Sequence, residues 1–165
     1  RQQTEEVMEG KEATTEVYPH QIAFNVLPHI DIFFDDGYTK EEMKMVNETQ
    51  KIMEESIKVT ATAARVPVYN GHAESINIET EEALTVQQTR ELLTKTPAVA
   101  VKDNPKELIY PLQTDIDTTD DVLVGRIRED ATIENGLNLW VVANNLRKGA
   151  ALNTIQIAER LTAEK

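Results

Sequence analysis

Apolar positions along this chain change period several times, and the changes mark its elements. Residues 1–9 read as a polar helix and 10–15 as a break after it. The short apolar run at 21–26, closed by Pro28, predicts a strand. Thr39-Lys40-Glu41-Glu42 is a capping box, and it opens a helix expected to reach about Glu55, with Met43, Val46, Ile52 and Met53 near helical spacing. Residues 58–63 and 72–80 are rich in β-branched side chains and alternate in polarity, which predicts two strands joined through a bend at 67–71. Thr85-Val86-Gln87-Gln88 is a second capping box and starts a helix to about Lys95. A brief strand at 98–101 is followed by a polar loop over 102–121 that contains Pro105 and Pro111. Strands at 122–129 and 137–143 are linked through Asn135-Gly136, a hairpin signal. The last element, from about Lys148 to Ala163, places Leu152, Ile155, Ile157, Ala158 and Leu161 mostly on one side of a helix.

Helices and strands alternate without strict βαβ order, so the expected class is α+β, a mixed sheet with helices packed on one face. At 165 residues the chain is long enough for one ordinary domain. Charge narrows its partners. With 17 Lys+Arg against 29 Asp+Glu the formal net charge is −12, which argues against nucleic acid and against an anionic membrane surface. Apolar runs such as 137–143 fall far short of the ~20 residues that span a bilayer. A cytoplasmic location is the simplest expectation. There are no cysteines, and the three histidines, His20, His29 and His72, lack zinc-type spacing, so no metal is assigned. The chain opens at Arg1 in the middle of a helical pattern, which reads as a segment of something longer.

The candidate chemistry centres on Arg65-Val66-Pro67-Val68 and Gly71-His72, an arginine and a histidine seven residues apart across the expected bend. A guanidinium forks onto a carboxylate and an imidazole moves protons near neutral pH. Arg65 alone fits a structural ion pair equally well, and His72 alone fits a hydrogen-bonded structural role. Glu41 and Lys44 share a face in the first turns of the capped helix, as solvated charge or as a paired carboxylate and ammonium. Arg126 and Arg128 alternate along a strand with Ile127 opposite, an arrangement that meets carboxylates or water. Around Asn145-Leu146-Arg147-Lys148-Gly149-Ala150 small residues sit at a strand-to-helix junction, which suits close helix packing or the approach of a ligand to exposed backbone.

Five stretches in one order resemble the C-terminal substrate and dimerisation domain of the aspartate-semialdehyde dehydrogenases. They are Ile22-Ala23-Phe24-Asn25-Val26-Leu27-Pro28, Tyr38-Thr39-Lys40-Glu41-Glu42-Met43-Lys44-Met45, Arg65-Val66-Pro67-Val68 with Gly71-His72, Val124-Gly125-Arg126-Ile127-Arg128, and Leu139-Trp140-Val141-Val142 running into 145–159. The resemblance implies a fold like the C-terminal domain of glyceraldehyde-3-phosphate dehydrogenase, one substrate-binding and dimerisation domain over 1–165. In it, helices at 1–9 and 145–165 would pack on a nucleotide-binding domain that this chain lacks. The implied reaction is the NADPH-dependent reduction of aspartyl phosphate to aspartate semialdehyde through an acyl-enzyme on a cysteine of that missing half. By resemblance His72 is the general acid/base, Arg65 grips the substrate α-carboxylate, Glu41 meets its amino group and Lys44 holds the phosphate. Asn145, Gly149 and Ala150 lie near the nicotinamide of NADP, and the sheet builds a homodimer.

Three departures accompany the matches. Thr62-Ala63-Ala64 stands where the family has Thr-Cys, Gly71-His72-Ala73 where it has Gly-His-Ser, and Asn144-Asn145 where it has Asp-Asn. The last two are expected to weaken hydrogen bonding near the histidine and the cofactor. An acyl-enzyme needs a nucleophile, so the chain alone is expected to be inactive and to bind NADP weakly at most. Three readings follow: an isolated or engineered substrate domain for a small anionic amino acid, a self-association module whose inherited site is idle, or a domain that binds an amino-acid anion through Arg65 and Lys44.

Overall fold

The destinations of the backbone amides decide which of the expected strands form. The computed structural model describes residues 1–53 and 57–163, and its packing divides the chain into two units, Arg1–Pro67 and Val68–Lys165.

In the first unit, helix α1 (Gln2–Met8) is anchored by side-chain hydrogen bonds, with none of its residues fully buried. Gln3 Oε1 accepts the amides of Ile22 and Ala23 at 2.9 and 3.2 Å, and Glu6 accepts the amide and the hydroxyl of Thr14, both at 2.7 Å. These bonds correct the expected strand at 21–26. With two amides taken by Gln3 and the Asn25 amide turned back to the Ile22 carbonyl at 3.0 Å, the run folds into a turn with Phe24 at φ 58°. The strand expected at 58–63 does not form either, because the Ala63 amide donates to the Glu42 carboxylate at 2.8 Å instead of to a neighbouring strand. What remains is one antiparallel bridge, Leu27 to Arg65, made by two bonds of 3.0 and 2.8 Å.

Helix α2 (Lys40–Met53) starts where its capping box places it. The Thr39 amide donates to Glu42 Oε2 at 2.7 Å and the Glu42 amide to Thr39 Oγ1 at 3.3 Å. Met43 and Val46 are half-buried, but Ile52 and Met53 are exposed, so only the first half of the apolar stripe is covered. The expected continuation to Glu55 lies outside the described residues.

The second unit carries the sheet. Its strands β1 (His72–Glu79), β2 (Val99–Val101), β3 (Val122–Asp130) and β4 (Gly136–Ala143) lie in the order β1-β4-β3-β2. β4 is antiparallel to both neighbours, and β2 is parallel to β3, so the sheet is mixed as expected. Helix α3 (Val86–Lys95), with Thr85 and Gln88 closing the second capping box, packs Val86 and Leu93 against a core of Val124, Ile127 and Leu139. Each of those three buried side chains contributes roughly 2 kcal/mol. The 102–121 stretch is a loop broken by two 3₁₀ turns, Pro105–Glu107 and Gln113–Asp117, and the second buries Ile116 completely. Between β3 and β4 the hairpin turns through Asn135 at φ 55°, and Gly136 is required because a Cβ there would lie 2.4 Å from Ile133 Cγ1.

The simple alternation expected around Arg126 and Arg128 is interrupted. Gly125 pairs with Trp140 and Arg128 with Asn138, so Arg126 and Ile127 together oppose Leu139 in a β-bulge, with Arg126 at φ 55°. The extra residue lets Val124 and Ile127, three apart, enter the same core. The chain then passes through a π-helical turn, Arg147–Ala151, into α4 (Leu152–Ala163). Ile155, Ile157 and Leu161 of α4 are exposed. Among the described residues no helix is long and apolar enough to cross a membrane.

Candidate functional site

The first unit holds three of the residues singled out from the sequence. Glu41 and Lys44 meet across one turn of α2 at 3.7 Å, with side chains 33% and 54% exposed. An ion pair so open contributes at most about 1 kcal/mol to stability, and both groups stay accessible. Lys44 also lines a cleft of about 510 Å³ with Phe34, Met43 and Asn47, whereas Glu41 and Arg65 are not in its wall.

Arg65 is fixed at its backbone by the Leu27 bridge and at its side chain by Tyr18, whose ring centroid lies 5.2 Å from the guanidinium carbon. Stacking occupies the face of the guanidinium and leaves its in-plane N–H donors available for a carboxylate. No carboxylate among the described residues is paired with it.

His72, Asn145, Gly149 and Ala150 belong to the second unit, and there they gather at one end of the sheet. His72 opens β1 and pairs with Ala143, the last residue of β4. The expected hairpin linking Arg65 and His72 is therefore corrected: Arg65 bridges to Leu27, and β1 takes β4 as its neighbour. Gly71, at φ 81°, turns the chain into β1 where a Cβ would fall 2.0 Å from Ile116 Cδ1. Its amide donates to Asn145 Oδ1 at 3.1 Å, which ties Asn145 to the residue preceding His72. Residue His72 is exposed, and its imidazole has no hydrogen-bond partner among the described residues.

Asn144 is buried, and its Oδ1 accepts the amides of both Leu146 and Arg147 at 3.1 Å. The amide side chain thus caps the turn through a single oxygen. The Gly149 amide donates to the Asn144 carbonyl at 3.2 Å, the wide bond that makes the turn π-helical. Gly149 and Ala150 are exposed, and a Cβ on Gly149 would meet only Asn145 Cβ, at an ordinary 3.7 Å. Among the described residues nothing packs closely on Gly149.

Three tertiary contacts were not apparent in the sequence. Glu42 was readable as a cap, but its bond to Ala63, 21 residues on, is a tertiary contact. Tyr18 approaches Arg65 from a stretch with no regular structure. Asp103, whose side chain is fully buried, accepts from Arg90 at 2.7 Å and from the bulged Arg126 amide at 2.8 Å.

Known proteins give this arrangement its context. An aspartate-semialdehyde dehydrogenase from Aquifex aeolicus is 54% identical over 166 residues, covering 99% of this chain and 49% of its own length. Aspartate semialdehyde dehydrogenase II from Vibrio cholerae, solved complexed with ASA, matches with TM-score 0.91 and 47% identity over 98% of this chain and 48% of that one. The Candida albicans enzyme, solved with NADP, matches with TM-score 0.69 and 29% identity over 86% of this chain and 45% of that one. The chain thus spans about half the length of the relatives it matches. A family model described as semialdehyde dehydrogenase, dimerisation domain, matches residues 1–148, which takes in every element up to the π-helical turn, and the chain therefore belongs to that family.

Proposed function

We propose that this chain is the substrate-binding and dimerisation half of an aspartate-semialdehyde dehydrogenase, acting in the NADPH-dependent reduction of aspartyl phosphate to aspartate semialdehyde. The observation that carries the reading is an exposed His72, without a hydrogen-bond partner among the described residues, at the sheet end where Asn145 holds the preceding amide and the chain turns through Gly149 and Ala150. NADPH, when bound, supplies the hydride. His72 would take the thiol proton as the sulfur of the nucleotide-binding half attacks and phosphate leaves, and would return it to that sulfur as the aldehyde is released, while Arg65 pairs with the α-carboxylate, Glu41 accepts from the amino group and Lys44 neutralises the phosphate. Asn145, Gly149 and Ala150 leave room for the nicotinamide ring. The cytoplasm suits the reaction, and the active form is a homodimer.

With no cysteine among its 165 residues the chain cannot form an acyl-enzyme. Mixed with a separately produced nucleotide-binding half bearing the cysteine, it is expected to recover turnover, while the chain alone gives none. In the reconstituted enzyme His72→Asn is expected to lower kcat by roughly 10²- to 10⁴-fold. Reconstitution without turnover, or unchanged kcat in His72→Asn, would refute the assignment. Sedimentation equilibrium checks the homodimer, and a monomer at all concentrations would remove it.

A further inference from the structure

We infer that Glu42 is a positioning residue that sets the spacing between Lys44 and Arg65, the two cations assigned to the ends of one doubly anionic substrate; the inference rests on that assignment. Glu42 lies between Glu41 and Lys44 in the first turns of α2, yet its side chain turns inward and is only 6% exposed. In an ordinary capping box the carboxylate takes one amide at the helix start and leaves its second oxygen to water. Here Oε2 takes the Thr39 amide at 2.7 Å and Oε1 takes the Ala63 amide at 2.8 Å. Ala63 is buried and stands two residues before Arg65. The segment carrying Arg65 is thus held at two points, by Glu42 through Ala63 and by Leu27 through the bridge at Arg65 itself. One carboxylate joins the helix that presents Lys44 to the segment that presents Arg65.

Two charge-assisted bonds from backbone amides make this a stiff link, because the Glu42 side chain is held at both of its oxygens. The amides also hold the carboxyl below the usual glutamate range, Thr39 most strongly and then Ala63, so the link is ionised at neutral pH. A substrate with a carboxylate at one end and a phosphate at the other binds both cations only when their separation matches its length. Loosening the link should therefore weaken binding before it slows chemistry.

Three variants of the complete dehydrogenase carrying this chain test the inference. Glu42→Gln keeps the shape but puts an NH₂ group against one of the two amides, and it is expected to raise KM for the amino-acid substrate about tenfold with a smaller change in kcat. Thr39→Ala removes the other half of the capping box and keeps the Ala63 bond, so it should lower Tm and leave KM within about twofold. Ala63→Pro removes the same bond from the donor side and should reproduce the rise in KM. An unchanged KM in Glu42→Gln, an equal rise in Thr39→Ala, or a Glu42→Gln enzyme too unstable to assay would each overturn the inference, since each makes Glu42 a determinant of the fold alone. Arg65→Ala separates the two levels: if it leaves KM unchanged, the assignment of Arg65 fails whatever Glu42 does.

Discussion

Gly71 and Gly149 both neighbour groups assigned to the chemistry, and the structure gives them opposite reasons to be glycine. At Gly71 the backbone has φ 81°, and an added methyl would meet Ile116 Cδ1 at 2.0 Å and the Ala143 carbonyl oxygen at 3.0 Å. Gly71→Ala combines left-handed strain with overpacking and is expected to cost about 3 kcal/mol, read from urea unfolding. At Gly149 the same methyl has room, and inside a helical turn Ala is favoured over Gly by up to about 1 kcal/mol. Gly149→Ala is therefore expected to leave Tm unchanged or raised while weakening NADP binding in the complete enzyme. Cofactor titration and thermal unfolding on the same variant check both halves, and a variant that binds NADP normally would remove Gly149 from the cofactor surface. In the sequence the two glycines looked alike, because what separates them is a side chain from the 102–121 loop.

Element boundaries were readable where the chain satisfies its own backbone locally. Thr39 with Glu42 and Thr85 with Gln88 cap α2 and α3 within four residues, and both helices begin where those residues place them. Elements failed to appear where distant side chains claim the amides, as Gln3 does at Ile22 and Ala23 and Glu42 does at Ala63. The bulge in β3 is a third case. Its left-handed Arg126 is held by Asp103, whose other oxygen accepts from Arg90 of α3. A buried carboxylate in this position joins helix, loop and bulge, and Asp103→Ala strands a half-buried guanidinium and an unmatched amide. Loss of one partner of a buried pair costs about 3 to 5 kcal/mol, so Asp103→Ala and Arg90→Ala should each lower the urea midpoint substantially. The double variant should cost clearly less than the two losses added, because the second change removes a charge the first left unpaired. Additive losses would show that the pair does not act as a unit.

At the scale of the whole molecule, the acidic balance and the local hydrogen bonding of its carboxylates act in opposite directions as pH falls. A formal charge of −12 means self-repulsion at pH 7, which partial protonation relieves and salt screens. Several carboxyls, however, are held below their ordinary range in the folded chain. Glu6 is lowered by the Thr14 amide and the Gln2 side chain, Glu42 by the amides of Thr39 and Ala63, and Asp130 by the hydroxyl and amide of Thr132. At Asp115 burial pushes the carboxyl up, but the bond from Lys102 and the Leu112 amide together pull it below the ordinary value. In each case the unfolded chain takes up its proton at higher pH than the folded one. The stability these groups contribute is complete above the unfolded range of about 4 to 4.5 and is lost as pH falls through the lower folded values. Urea-unfolding free energy is thus expected to hold level or rise slightly from pH 7 toward about 5.5, and to fall steeply below about 4.5. Added salt should flatten the first change, which is long-range repulsion, and leave the second, which is short-range hydrogen bonding. Asp130→Asn keeps one acceptor oxygen but cannot titrate, so its low-pH loss should be shallower than that of the unaltered chain. Stability that stays constant down to pH 3 would remove these four sites as contributors, and an acid loss abolished by salt would assign that loss to net charge instead.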